Sequence, residues 1–154
     1  MRAAVTAFVA LGANLGDPRK AVPGAIERIA AMDGVRLIRR SALYRTAPID
    51  SGGPDYINAV VEIETVLPAP ELLLHLQRIE HEAGRARPYR NAPRTLDLDL
   101  LLYGDARIDS PTLTVPHPSM LARAFVLVPL AEIAPQRVTA AQLAAVRDQR
   151  TEAV

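Results

Sequence analysis

The sequence predicts an α+β fold: a ferredoxin-like, split-βαβ sandwich with an antiparallel or mixed sheet and helices packed on one face. Its predicted elements run β-α-β-β-α-β, and two consecutive strands joined by one loop argue against a doubly wound parallel sheet. The strand segments alternate with a period of two, whereas the helix segments repeat at about 3.6 residues. A length of 154 residues suits one domain, 1–154, with a core of ordinary size.

Composition narrows the function classes. The formal net charge is +1, so neither a nucleic-acid-binding surface nor an anionic-membrane surface is indicated. Cysteine is absent, which removes disulfides, thiolate metal sites and cysteine nucleophiles. Lys20 is the only lysine and no Gly-Lys-Ser/Thr occurs, so there is no P-loop. Phosphate handling would fall to arginine, histidine, backbone and metal. No apolar run reaches the length of a membrane span. Ala3 to Leu11 faintly resembles a signal-peptide core but fits a buried first strand better, so a cytoplasmic protein is expected.

Val5 to Leu11 reads as a central first strand. Gly12 to Gly16 (GANLG) reads as a tight loop, where glycines let a ligand approach the backbone. Asp17-Pro18 has the form of an N-cap followed by proline at the first helical position. Ala21, Val22, Ala25, Ile26, Ile29 and Ala30 then form a helical stripe, interrupted by Pro23-Gly24 and ended by Asp33-Gly34. Val35 to Tyr44 reads as a second strand. Arg45 to Asp55 is a Pro-, Gly- and Ser-rich loop, long enough to be functional. Tyr56 to Thr65 is a third strand, with Tyr56, Asn58, Val60, Glu62 and Glu64 on one face and Ile57, Ala59, Val61 and Ile63 on the other. Tyr56 reads first as a core tyrosine; beside Asn58 it also suits a flat polar ligand, the ring stacking and the amide reading an edge. Pro70 to Ala83 is a second helix burying Leu72, Leu73, Leu76, Ile79 and Ala83. Gln77 and Glu80 are neighbours on its solvated surface, and His75 and His81 lack metal-ligand spacing.

The chemistry concentrates in Pro93 to Gly104, PRTLDLDLLLYG. The run from Leu96 to Tyr103 is short for a helix and has no helical stripe, so it reads as a strand. On a strand Asp97 and Asp99 share one face, with Leu96, Leu98, Leu100 and Leu102 on the other. Two carboxylates about 5 Å apart repel by roughly 3 kcal/mol at an effective dielectric near 20. A divalent cation would offset that, and Mg²⁺ commonly sits on one or two carboxylates plus substrate phosphates. A solvated edge face, or pairing with arginines, satisfies the same spacing. Upstream, Arg85, Arg87, Arg90 and Arg94 occur with no acidic residue among them, and the guanidinium fork suits phosphate oxygens. Acids beside arginines in this order suggest nucleotide chemistry.

Arg107 to Asp109 and Thr112 to Val115 read as short extended segments. Pro116-His117-Pro118 holds a histidine on a restrained loop, either a simple turn or a phosphate donor. Ser119 to Arg123 reads as a short helix and Phe125 to Leu130 as an apolar strand or helix start, followed by a helical turn over 131–134. Thr139 to Gln142 fits a capping box, and the last residues are expected to fray.

Taken together, LGANLG (11–16), Tyr44-Arg45-Thr46, PDYIN (54–58), PRTLDLD (93–99) and VPHP (115–118) resemble the 6-hydroxymethyl-7,8-dihydropterin pyrophosphokinase family of folate biosynthesis, in family order from about Val5 to Pro135. The resemblance implies transfer of pyrophosphate from ATP to the pterin hydroxymethyl group with release of AMP. It implies Asp97 and Asp99 as ligands of two Mg²⁺ ions, and these two with Arg85 and Arg94 as the catalytic set. For ATP it implies Gln77, Glu80, Arg85, Arg94, Leu100, Thr112, Thr114, His117 and Arg123. For the pterin it implies Tyr56 and Phe125 as a sandwich, with Thr46, Ile49 and Asn58 beside them. It further implies loops over 44–54 and 84–93 that close on the substrates. Many members carry Trp-Gly where Asn91-Ala92 stand here, and an aromatic over the pterin is missing, for which Tyr89 is a candidate.

Three other classes bear on the same residues. A catalytically silent pterin- and nucleotide-binding module has no evident need for two metals. A phosphohydrolase attacking with water has no use for Tyr56, Asn58 and Phe125. An interaction protein with a solvated acidic strand would lack Mg²⁺-dependent nucleotide binding. The expected partners are ATP and 6-hydroxymethyl-7,8-dihydropterin, with no nucleic acid and no membrane, and the expected state is a monomer.

Overall fold

The structure, a computed structural model, describes residues 3–48, 53–83 and 96–154. Its elements are β1 (Val5–Ala13), α1 (Pro18–Ala30), β2 (Val35–Arg40), β3 (Tyr44–Thr46), β4 (Tyr56–Thr65), α2 (Ala69–Ala83), β5 (Asp97–Tyr103), β6 (Ile108–Asp109), β7 (Thr114–Val115), α3 (Ala124–Ile133), α4 (Ala140–Ala145) and β8 (Thr151–Ala153). Among the described residues six strands form one sheet in the order β5-β1-β4-β3-β8, with β2 also on β4; β6 and β7 form a separate ribbon. Every pairing is antiparallel. β4 therefore lies between β1 and β2, which is the split βαβ arrangement, in an α+β fold.

The period-two strands sort their side chains to two cores. On one face Ala7, Val9 and Leu11 of β1 and Ala59, Val61 and Ile63 of β4 pack against Val22, Ile26 and Ile29 of α1 and Leu72, Leu76 and Ile79 of α2. On the other, Phe8, Ala10 and Val60 pack against Val126, Leu130 and Ile133 of α3. Helices thus cover both faces, not one. α3 is apolar on two sides, with Glu132 its one charged residue, because it is covered twice: Leu127 and Ala124 face away from the sheet, against Val146. That uniform composition hides the helical period, and this is why Phe125 to Leu130 looked equally like a strand.

Four other expectations need correction. The second strand is two strands, split at Ser41, whose hydroxyl accepts the Val60 N–H (2.9 Å) and donates to the Ala42 carbonyl (2.8 Å). Leu102 does not share a face with Leu96, Leu98 and Leu100. The β1–β5 register shifts between Phe8 and Val9, so β5 gains a residue there, Leu101 and Leu102 turn to the α3 side and Tyr103 returns to the first core. The terminal residues are not frayed: Thr151–Ala153 pairs with Tyr44–Thr46. On α2, Leu73 is half-buried and Ala83 exposed. Asp17 occupies the N-cap of α1 but makes no side-chain cap bond, whereas the Thr139–Gln142 capping box is formed in full.

Candidate active site

The floor of the site is a row across the sheet. Gly12 of β1 pairs with Asp97 of β5 on one side and Asn58 of β4 on the other, and Ala10 pairs likewise with Asp99 and Val60. These residues share the α3 face, where α3 stops short and leaves the sheet uncovered. A cleft of about 290 Å³ results, lined by Ala10, Gly12, Thr46, Pro48, Tyr56, Asn58, Asp97, Asp99, Arg123 and Phe125, among others. Asn58 is 3% exposed; its amide nitrogen donates to the Thr46 hydroxyl at 2.7 Å. A Cβ on Gly12 would stand 2.8 Å from Asn58 Oδ1, so only glycine leaves the amide its place. Tyr56 and Phe125 are half-buried aromatic walls, and the Arg123 guanidinium lies 5.4 Å from the centre of the Phe125 ring. This is a slot with aromatic walls and a polar floor, concave and with few fixed polar groups, as small-molecule sites are.

A second cleft, of about 340 Å³, runs along the outer side of β5. Gln77 and Glu80 of α2 line one bank, and Thr112, Thr114 and His117 of the β6–β7 ribbon and its following loop line the other. Leu98, Asp99 and Leu100 form the floor. Glu80 accepts the Leu98 N–H at 2.7 Å, and the Leu101 carbonyl accepts the His117 N–H at 2.9 Å. Both banks are therefore fastened to the strand that carries the aspartates. His117 Nδ1 accepts the Ser119 N–H (3.1 Å), which puts the proton of the neutral ring on Nε2, 3.9 Å from Asp99 Oδ1. Burial lowers the His117 pKa from its ordinary 6.5; the Asp99 carboxylate opposes this and Arg123 reinforces it. The ring is thus a neutral donor near pH 7. Asp99 lines both clefts, with its side chain 42% exposed.

Among the described residues no group of three or more His, Cys, Asp or Glu could hold a metal alone. Asp97 and Asp99 supply oxygen donors only, from one strand face, which fits a hard cation that keeps other ligands from water or a phosphate. Of the residues singled out in the sequence, Thr46, Tyr56, Asn58, Asp97, Asp99, Arg123 and Phe125 come together in the first cleft. Gln77, Glu80, Leu100, Thr112, Thr114 and His117 meet Asp99 in the second. Arg85, Arg94 and Ile49 lie outside the described residues, as do Arg87, Tyr89, Arg90 and Asn91-Ala92. Sequence reasoning missed Ala10, Ala47 and Pro48 in the first cleft and Ser110 in the second. Pro48 had a signal, since it sits in the long loop marked as functional; Ala10 had none, being indistinguishable from core.

Residues 8–135 match the family model described as 7,8-dihydro-6-hydroxymethylpterin-pyrophosphokinase. The chain is 47% identical over 131 residues to the 2-amino-4-hydroxy-6-hydroxymethyldihydropteridine pyrophosphokinase of Haemophilus influenzae, covering 84% of this chain and 82% of that protein. It is 46% identical over 129 residues to the enzyme of the same name from Pseudomonas aeruginosa, covering 83% and 80%. Among solved structures, Plasmodium falciparum HPPK-DHPS superposes with a TM-score of 0.67 at 14% identity; the match covers 85% of this chain but 39% of that one, and it carries the fold alone. By the extent of the model match and the level of identity, the chain belongs to the 7,8-dihydro-6-hydroxymethylpterin-pyrophosphokinase family.

Proposed function

We propose that this chain transfers pyrophosphate from ATP to the hydroxymethyl group of 6-hydroxymethyl-7,8-dihydropterin and releases AMP, in folate synthesis, acting as a cytoplasmic monomer. The observation that carries the reading is that an aromatic-walled cleft and a polar cleft meet at Asp99. A two-substrate transfer needs such adjacency, because positioning is most of what phosphoryl transfer asks of a protein.

In this reading the pterin lies between Tyr56 and Phe125, and Asn58 and Thr46 read its polar edge, with Ile49 beside them. The nucleotide takes the second cleft, with Gln77, Glu80, Leu100, Thr112 and Thr114 along it. The Nε2–H of neutral His117 donates to a phosphate oxygen, and Arg123 supplies positive charge from the pterin side. Arg85 and Arg94 are assigned to the phosphates as well. Asp97 and Asp99 would hold two Mg²⁺ ions, which would supply neutralisation of phosphate charge and polarisation of phosphoryl oxygens. The pterin hydroxyl oxygen forms a bond to the β-phosphorus and gives up its proton to water. The bridging bond from the β-phosphorus to the α-phosphate oxygen breaks, and AMP leaves with the electron pair.

Product analysis tests this. Protein, ATP, Mg²⁺ and 6-hydroxymethyl-7,8-dihydropterin should yield AMP only when all are present. ADP with free phosphate would contradict the reaction, and Mg²⁺-dependent nucleotide binding without turnover would leave a binding module. Asp97→Ala should abolish turnover and Mg²⁺-dependent ATP affinity together; retention of both would remove the metal assignment.

A further inference from the structure

The wall formed by Arg123 and Phe125 is built in an unusual way. Arg123 is the N-cap residue of α3, in extended backbone conformation, and it makes no side-chain cap bond. Arginine carries donors and no acceptor, so it cannot satisfy a free helix N–H. Its guanidinium lies over Phe125 instead. The missing acceptor arrives from 25 residues downstream: Gln149 Oε1 accepts the Ala124 N–H at 2.9 Å. The same amide donates through Nε2 to the Ala122 carbonyl at 2.9 Å. One side chain thus spans the break between the 3-10 turn at Met120–Ala122 and α3, and fixes the chain on both sides of Arg123.

Gln149 stands two residues before β8, which pairs with β3, the strand carrying Thr46 of the cleft. Between these walls and the terminal segment lies a further pocket of about 230 Å³, lined by Thr46, Pro48, Ala124, Phe125, Gln149 and Thr151 among others. The back of the wall is therefore not packed solid on the side of the terminal segment. Gln149 also lies beyond residues 8–135, which the family model matches.

We infer that Gln149 is a positioning residue: by capping α3 in place of Arg123 it sets where Arg123 and Phe125 stand, and so sets the affinity of the first cleft for its flat heterocyclic substrate. This rests on the pterin assignment above, and the experiment separates the two. Gln149→Ala removes both bonds. The expected result is a rise of roughly tenfold in KM for the pterin, the scale of one lost capping interaction, with a clearly smaller rise in KM for ATP, whose phosphates meet the Arg123 charge but not the Phe125 ring. Gln149→Glu keeps an acceptor for Ala124 but loses the donor to the Ala122 carbonyl, so it should recover part of the pterin affinity. Gln149→Met, which keeps the side-chain length without either bond, replaces the alanine variant if that fails to fold. In the protein without ligands, the Arg123 Nε–H and Phe125 ring resonances should shift in the alanine or methionine variant and return in part in the glutamate one. Unchanged pterin KM, equal changes for pterin and ATP, or no recovery by glutamate would overturn the inference. If the parent binds no pterin the functional reading falls, and the resonances decide: unshifted signals overturn the positioning role and shifted signals support it.

Discussion

A methyl group added at Gly12 would meet Asn58 Oδ1 at 2.8 Å, and Asn58 cannot yield freely because it is buried and tied to Thr46. The constraint is space, since Gly12 is not among the glycines with positive φ. Gly12→Ala is therefore expected to cost about 1–3 kcal/mol of stability, in the manner of overpacking. It should also lower pterin affinity while sparing ATP affinity; denaturant unfolding and paired titrations would show this, and unaltered pterin binding would contradict it. Much of the site was legible at this scale. Asp97 and Asp99 declared themselves as charges inside an apolar strand, and Tyr56 and Asn58 as polar residues on a shared face. Gln149 was not legible, because its partners are backbone groups of Ala122 and Ala124, and no sequence pattern marks a backbone group as waiting for a cap.

Elements were read well where one face is buried and one is not, as in β4, whose bounds match the expected Tyr56 to Thr65. They were misread where tertiary contacts override the local pattern. β8 has no alternation and exists because β3 offers an unpaired edge. The bulge in β5 inverts the side-chain parity after Leu100, which no count by twos can foresee. The short β3 is held by Glu132 of α3, whose carboxylate accepts the Ala42 N–H at 3.1 Å and the Tyr44 hydroxyl at 2.5 Å. Burial and the Glu132 carboxylate push the Tyr44 pKa up to about 12. A raised pKa means the folded state holds its proton longer than the unfolded chain. The associated stability is present below pH 10 and is lost as the pH climbs toward 12. Tyr44→Phe should cost about 1 kcal/mol near neutral pH, and its deficit against the parent should shrink in alkaline unfolding experiments. A deficit that stays constant through that range would argue against the Tyr44–Glu132 bond.

At the scale of the whole molecule, the sheet brings α2, the β6–β7 ribbon and α3 around one strand, so the two clefts share the residue Asp99. Ligands that bind only the folded form stabilise it by mass action, by about 2.7 kcal/mol at a hundred times Kd. A non-hydrolysable ATP analogue with Mg²⁺ should raise Tm, and EDTA should cancel the rise; a rise that survives EDTA would speak against metal held by Asp97 and Asp99. The fastening of β5 has one more consequence. As the outermost strand, it would present outward-facing backbone groups to any other extended chain. Glu80 occupies the Leu98 N–H and the His117 backbone occupies the Leu101 carbonyl. The groups that frame the second cleft thus also occupy backbone positions at which a neighbouring strand would pair, so the same contacts shape the cleft and cover the sheet edge.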